Sequence, residues 1–173
     1  MNKTIAKKKI EELFLISPQD SDGQYELGSE GQRKAAKLVE EAYNADTISD
    51  ETIPHVLLAL KDIQVRDYTM GFINPKAQNT KLFFELLVKN APVEYSAAPI
   101  TLLALTYYEN NKDGKANELL QPVAAKGYSL ALLLGRVFQS NWPADAFSQM
   151  RMQLHPKVTA AIFGEETNDN SNA

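Results

Sequence analysis

AAPITLLALTYYENNKDGKANELLQPVAAKGYSLALLL, residues 97–134, is the stretch that decides the fold. Its first part, with Ile100, Leu102, Leu103, Ala104 and Leu105, is apolar on most sides of a helix. Pro99 falls in the first turn, where its missing N–H leaves no bond unmade, and Ser96 stands ahead of it as a cap. Asp113-Gly114 reads as a helix–helix turn. Pro122 lies about eight residues into the next helix, which it is predicted to kink or shorten. A third helix opens at Ser129 and carries Leu130 to Leu134, Val137 and Phe138. Helices that are apolar all round are buried all round, so the first and third should form the centre, about Leu103 and Leu133. Gly135, which in mid-helix costs about 1 kcal/mol against alanine, is predicted to admit a neighbouring backbone.

The spacing is that of a tetratricopeptide-like hairpin over residues 97–125. With Ala116 at the small-residue position of the second helix, Ile100, Leu103, Ala104, Tyr107 and Leu120 fall at packing positions. Val123 takes the second small position, and Tyr128 stands where a closing proline is usual. One unit and a partial second (129–150) fall short of the three repeats a solenoid needs. The hairpin is therefore expected inside a compact helical domain.

Outward from this stretch the same reading holds. Ile5, Ile10, Leu13 and Phe14 mark an amphipathic first helix, and SPQDSDGQYELG (17–28) is a loop. Ser29 and Gln32 have capping-box spacing. After Ser49, a stripe of Ile53, Val56, Leu57, Leu60, Ile63 and Met70 predicts one helix ended by Gly71 and Asn74-Pro75. Further helices are predicted over 80–90, 143–152 and 156–163. The total is about nine short helices in antiparallel hairpins, an all-α class, with one domain at 1–163 and a disordered tail at 164–173.

The chain has 173 residues, 44% hydrophobic and 23% charged, with a net charge of -4. That acidity argues against a general nucleic-acid binder. The absence of cysteine excludes disulfides, thiolate nucleophiles and cysteine zinc sites. MNKTIAKKKI lacks the apolar run of a signal peptide, and Leu130–Leu134 is far below the roughly 20 residues of a spanning helix. A cytoplasmic protein without a membrane role is expected.

Several short motifs resemble the C-terminal helical region of the actinobacterial domain-of-unknown-function 4192 family. They are Val65-Arg66-Asp67, Ala98-Pro99, Asp113-Gly114 with Ala116, Tyr128-Ser129-Leu130-Ala131 and Asn141-Trp142-Pro143. The likeness covers roughly residues 30–152. It departs where usual members carry a strand-containing N-terminal portion, and where Lys126-Gly127 replaces an acidic-proline turn. The shorter form suggests that the helical half suffices here, as in a mobile element or phage. The resemblance implies a fold and no activity.

Asp67 occupies a core-facing slot if the stripe is one helix, and a buried carboxylate needs a partner. Arg66, about 100° away round the helix, is a poor one. The expected partners are backbone N–H groups at another helix start, near Ser96, or Arg136. Such a staple fixes register; a ligand or partner site at Arg66-Asp67 is the alternative. Tyr107-Tyr108 and Phe83-Phe84 each put one ring off the main apolar face, to pack against a neighbour helix, anchor a partner or stack bases. His55 and His155 lack neighbours at metal-ligand spacing and read as surface or helix-end residues. Lys3, Lys7, Lys8 and Lys9 form a basic face. No catalytic residue, metal or cofactor is expected. The reading is a non-enzymatic protein–protein interaction module or homo-oligomer, with Arg66, Asp67, Tyr107 and Tyr108 as contact candidates. The alternative is a nucleic-acid-associated accessory factor using the basic first helix.

Overall fold

Asp62 divides the stripe that predicts one helix from Ile53 to Met70. Its carboxylate accepts the backbone N–H groups of Gln64 and Val65, at 2.9 and 3.1 Å, a capping geometry that starts a new helix. The structure, a computed structural model, describes residues 2–164. Among these residues it has nine α-helices and no strand. They are α1 Lys3–Leu15, α2 Ser29–Asn44, α3 Thr52–Ala59, α4 Ile63–Met70 and α5 Gln78–Asn90, then α6 Ala97–Glu109, α7 Asp113–Ala124, α8 Ser129–Gln139 and α9 Ala144–Phe163. A single antiparallel bridge, Gln19 to Tyr25, closes the 17–28 loop. The tail expected to be disordered lies outside the described residues apart from Gly164.

Local chemistry sets several other boundaries. Asn2 caps α1 by accepting the Thr4 N–H at 2.7 Å, and the Ser49 hydroxyl accepts that of Thr52 at 3.1 Å. The Ser29–Gln32 capping box does not form. Ser29 is already helical behind Gly28, and Gln32 donates instead to Asp62 at 3.1 Å, tying α2 to the start of α4. Pro122 lies inside α7, which ends two residues after it, in keeping with a shortened helix. Pro156 does not separate two helices: α9 runs through it for 20 residues. Phe147 and Arg151 before the proline and Ile162 after it are all buried, so packing holds both halves in line.

α6 is the centre. Every residue from Thr101 to Glu109 is buried, between α5, α7, α8 and α9. The expectation for α8 fails. Leu130, Ala131, Leu134 and Phe138 are buried, but Leu132 and Leu133 are 44% and 56% exposed. α8 packs on α7 and α6 along one side only. Gly135 receives no neighbouring backbone; a Cβ there would meet only Leu120 Cδ2, at 3.9 Å. The close approach is at Gly71, where α9 crosses the end of α4. α9 also rests on α2 and α6, so the chain closes on itself and does not extend as a solenoid.

Candidate functional site

α4, α8 and α9 enclose a groove of about 240 Å³. Leu130 and Leu134 come from α8, Phe147 and Met150 from α9, and Met70 and Gly71 from the end of α4. On its rim stand Leu133, Trp142 and Leu154, 56%, 40% and 46% exposed. Large apolar side chains exposed singly are ordinary, whereas three around one concavity are not. The polar groups at the groove are Asp67, Arg151 and His155.

Arg151 is 3% exposed and faces Glu109, 4% exposed, across the α6–α9 contact. Its Nε donates to Glu109 Oε1 at 2.7 Å and its Nη2 to Oε2 at 2.8 Å. Nη1 donates to the Met70 carbonyl at 2.9 Å, and Nη2 to that of Ile73 at 2.7 Å. The guanidinium thus neutralises a buried carboxylate and satisfies carbonyls at the C-terminal end of α4, where helix carbonyls lack partners and a cation suits the dipole. The buried polar staple exists, but at Glu109–Arg151 rather than at Asp67.

Asp67 is not core-facing. The break at Asp62 resets the helical phase, turning Val65, Tyr68 and Thr69 inward and leaving the Asp67 side chain 31% exposed. Arg66, expected to be a poor partner, is the partner. Its side chain, 9% exposed, lies along the helix and gives Nε and Nη2 to Asp67 Oδ1 at 2.9 and 2.7 Å. The proposed bonds to a helix start near Ser96 or to Arg136 are replaced by this contact. Arg66 Nη1 donates to the Tyr128 hydroxyl at 3.3 Å, so Val65-Arg66-Asp67 and Tyr128-Ser129 meet in space.

Tyr107 and Tyr108 are both internal, which removes them as contact residues. Tyr107 is 8% exposed and its hydroxyl donates to Glu85 at 2.8 Å. Tyr108 stacks on Phe138 with ring centroids 4.1 Å apart, and its hydroxyl donates to the Trp142 carbonyl. Phe83 and Phe84 are buried as well. α6 has neighbours on every side, so neither tyrosine ring is left outward.

His155 is neither a surface nor a helix-end residue. It lies within α9 with its ring against the Gly71 backbone and 5.4 Å from the Tyr68 ring. Its Nδ1 is buried without a hydrogen-bond partner among the described residues. Burial first, and then the Arg151 charge, push its pKa below 6.5. Burial and the Glu40 carboxylate push the neighbouring Tyr68 phenol up to about 12. Between the lowered value and 6.5 the folded chain binds fewer protons at His155 than the unfolded chain. Stability therefore holds above about pH 6.5 and declines as pH falls through that window. Urea midpoints measured against pH should show this decline, and His155→Gln should lack it.

Among the described residues no group of three or more His, Cys, Asp or Glu side chains is placed to hold a metal ion. No described helix is long and apolar enough to cross a membrane.

A family model described as Domain of unknown function (DUF4192) matches residues 6–144. The chain belongs to that family. No curated protein matches, and neither does any solved structure. In this DUF4192 member the matched segment supplies α4, α6 and α8, including Leu133 and Trp142 on the rim. Arg151, Leu154 and His155 of α9 lie beyond it. Sequence reasoning missed Gly71, Leu133 as a surface residue, Glu109 and Arg151. Glu109 offered one signal, a carboxylate ending an otherwise apolar helix, and Arg151 another, a charge between Met150 and Met152.

Proposed function

We propose that this DUF4192 member is a non-catalytic interaction module that seats an amphipathic helix of a protein partner in the groove between α8 and α9. The carrying observation is the rim of Leu133, Trp142 and Leu154 around one apolar concavity. Helix-in-groove recognition uses such a surface, with a central aromatic as anchor. Asp67 on the groove wall, whose Oδ1 accepts from Arg66, is the one acidic side chain at the groove, so a helix bearing lysine or arginine beside its apolar face is the occupant proposed. Arg151 and His155, the remaining polar groups there, are more deeply committed: Arg151 to Glu109, and His155 against Gly71. The tetratricopeptide-like pairing read in residues 97–125 belongs to the same proposal, since α6 and α7 back α8.

The alternative, nucleic-acid contact through α1, has less support. Lys7 pairs with Glu94 at 2.5 Å and Lys9 with Glu51, while Lys8 lies 3.8 Å from Glu12. Much of the basic face is thereby neutralised.

Trp142 is the single tryptophan of the chain, so its fluorescence reports the groove directly. A cationic Leu/Lys amphipathic helix peptide should bind saturably with a blue shift of Trp142. Leu133→Glu should weaken it about tenfold or more. Asp67→Asn should weaken it more than it weakens an uncharged Leu/Gln counterpart. Absence of a shift, or affinity indifferent to Leu133→Glu, sinks the reading. A dimer in light scattering that Leu133→Glu dissolves overturns it in favour of a second copy of the chain.

A further inference from the structure

The far side of the Arg66–Asp67 pair carries a second concavity that the groove reading does not use. It has a volume of about 280 Å³ and opens between the starts of α4, α6 and α8. Leu57, Leu60 and Ala98, each 7% exposed or less, give it an apolar lining. Arg66, Lys61 and Tyr128 supply its polar character.

The donors in it outnumber the acceptors. An arginine has five N–H groups, and three of those of Arg66 are engaged, two by Asp67 and one by the Tyr128 hydroxyl. Because that hydroxyl accepts from Arg66, its own hydrogen is left to donate. Lys61 stands 5.7 Å from the centroid of the Tyr95 ring, with no ion-paired carboxylate among the described residues. Glu94 also lines the space, but its charge is met by Lys7 at 2.5 Å, and that pairing holds its carboxyl below the usual carboxylate range. Beside Tyr128, α8 begins at Ser129 without a side-chain cap, so its first N–H groups add to the positive potential there. A guanidinium that is nine-tenths buried, forked and lining a cavity with an apolar floor suits a carboxylate or phosphate group.

We propose that this cavity binds a small organic anion, a flat apolar body carrying one carboxylate or phosphate. The body lies on Leu57, Leu60 and Ala98, between Tyr95 and Tyr128. The anionic group takes the remaining N–H groups of Arg66, the Tyr128 hydroxyl and the Lys61 ammonium. The size limits the ligand to about that of a single substituted ring, at the small end of ligand pockets. This inference stands apart from the groove, and neither depends on the other.

The test is calorimetric titration of the full chain with benzoate, phenyl phosphate, benzyl alcohol and inorganic phosphate. Saturable binding of benzoate or phenyl phosphate, with benzyl alcohol much weaker, is expected, and the tighter of the two anions names the head group. Tyr128→Phe and Lys61→Gln change exposed or hydroxyl groups only, and each should weaken the better anion about tenfold, as loss of one charge-assisted hydrogen bond does. Their unfolding midpoints establish that the fold persists. Binding of inorganic phosphate alone, benzyl alcohol bound as tightly as the anions, or affinity unmoved in both variants overturns the proposal. So does the absence of any binding.

Discussion

Arg151→Met is expected to lower the free energy of unfolding by about 3–5 kcal/mol, the usual cost of removing one partner from a buried ion pair. Glu109 would remain at 4% exposure with its charge unanswered, and the carbonyls of Met70 and Ile73 would each lose the hydrogen bond from the guanidinium. Most of the loss comes from the stranded carboxylate rather than from the net worth of the pair, since burying two charges is itself costly. Domains are marginally stable, at about 5–15 kcal/mol, so this single change threatens the fold. Adding Glu109→Leu removes the stranded charge, and the double variant should recover a large part of the loss. The measurement is a double-mutant cycle from urea unfolding at neutral pH. A cost below about 1 kcal/mol for Arg151→Met, the range of exposed pairs, would refute the assignment of this pair as the internal staple.

The second large effect is expected at Gly71. Its backbone is in the right-handed helical region, φ -64° and ψ -23°, so glycine is not needed there for conformational freedom. What matters is space. A Cβ at this position would lie 1.9 Å from His155 Nδ1 and 2.1 Å from Cε1. Tyr68 and Phe72 flank the ring at 5.4 and 6.4 Å, which leaves the groove that it lines as its way to retreat. Helix propensity alone would make alanine better by up to about 1 kcal/mol. Overpacking costs typically about 1–3 kcal/mol, occasionally more, and contact this short belongs at the upper end. Gly71→Ala should therefore destabilise by about 2 kcal/mol or more, and His155→Ala in the same chain should relieve it. Gly114 serves as the control: a Cβ there meets nothing within 4 Å, so Gly114→Ala should be neutral or mildly stabilising. A neutral Gly71→Ala would mean that α4 and α9 do not approach as described.

The helical class was legible because α6 is apolar at almost every position, and such a helix has only one destination. The same argument misplaced Leu133. A run of leucines in α8 shows that the helix has apolar surface on every side, but not how many neighbours exist to cover it. Asp67 was misassigned for a local reason. The stripe from Ile53 to Met70 keeps its period across Lys61-Asp62, so periodicity alone continues the helix, while the cap at Asp62 competes for the Gln64 and Val65 amides and wins. That signal was present, since aspartate is a preferred cap residue. Glu109 and Arg151 are each visible as charges in apolar surroundings. Their pairing joins α6 to the last helix across 42 residues, and single-sequence patterns do not reach that far. His155 and Gly71 meet only once α9 has folded back on α4, which proline at 156 argued against.

The Glu109–Arg151 contact also bears on inheritance. The family match ends at residue 144, so the carboxylate lies within the shared segment and its arginine outside it. The contact nevertheless couples the two positions energetically. A lineage that exchanged its last helix for another would need a cation at the turn facing position 109, or else a simultaneous change of the glutamate to an apolar residue. Relatives that diverge beyond residue 144 are thus expected to vary at position 109 in step with their final helix.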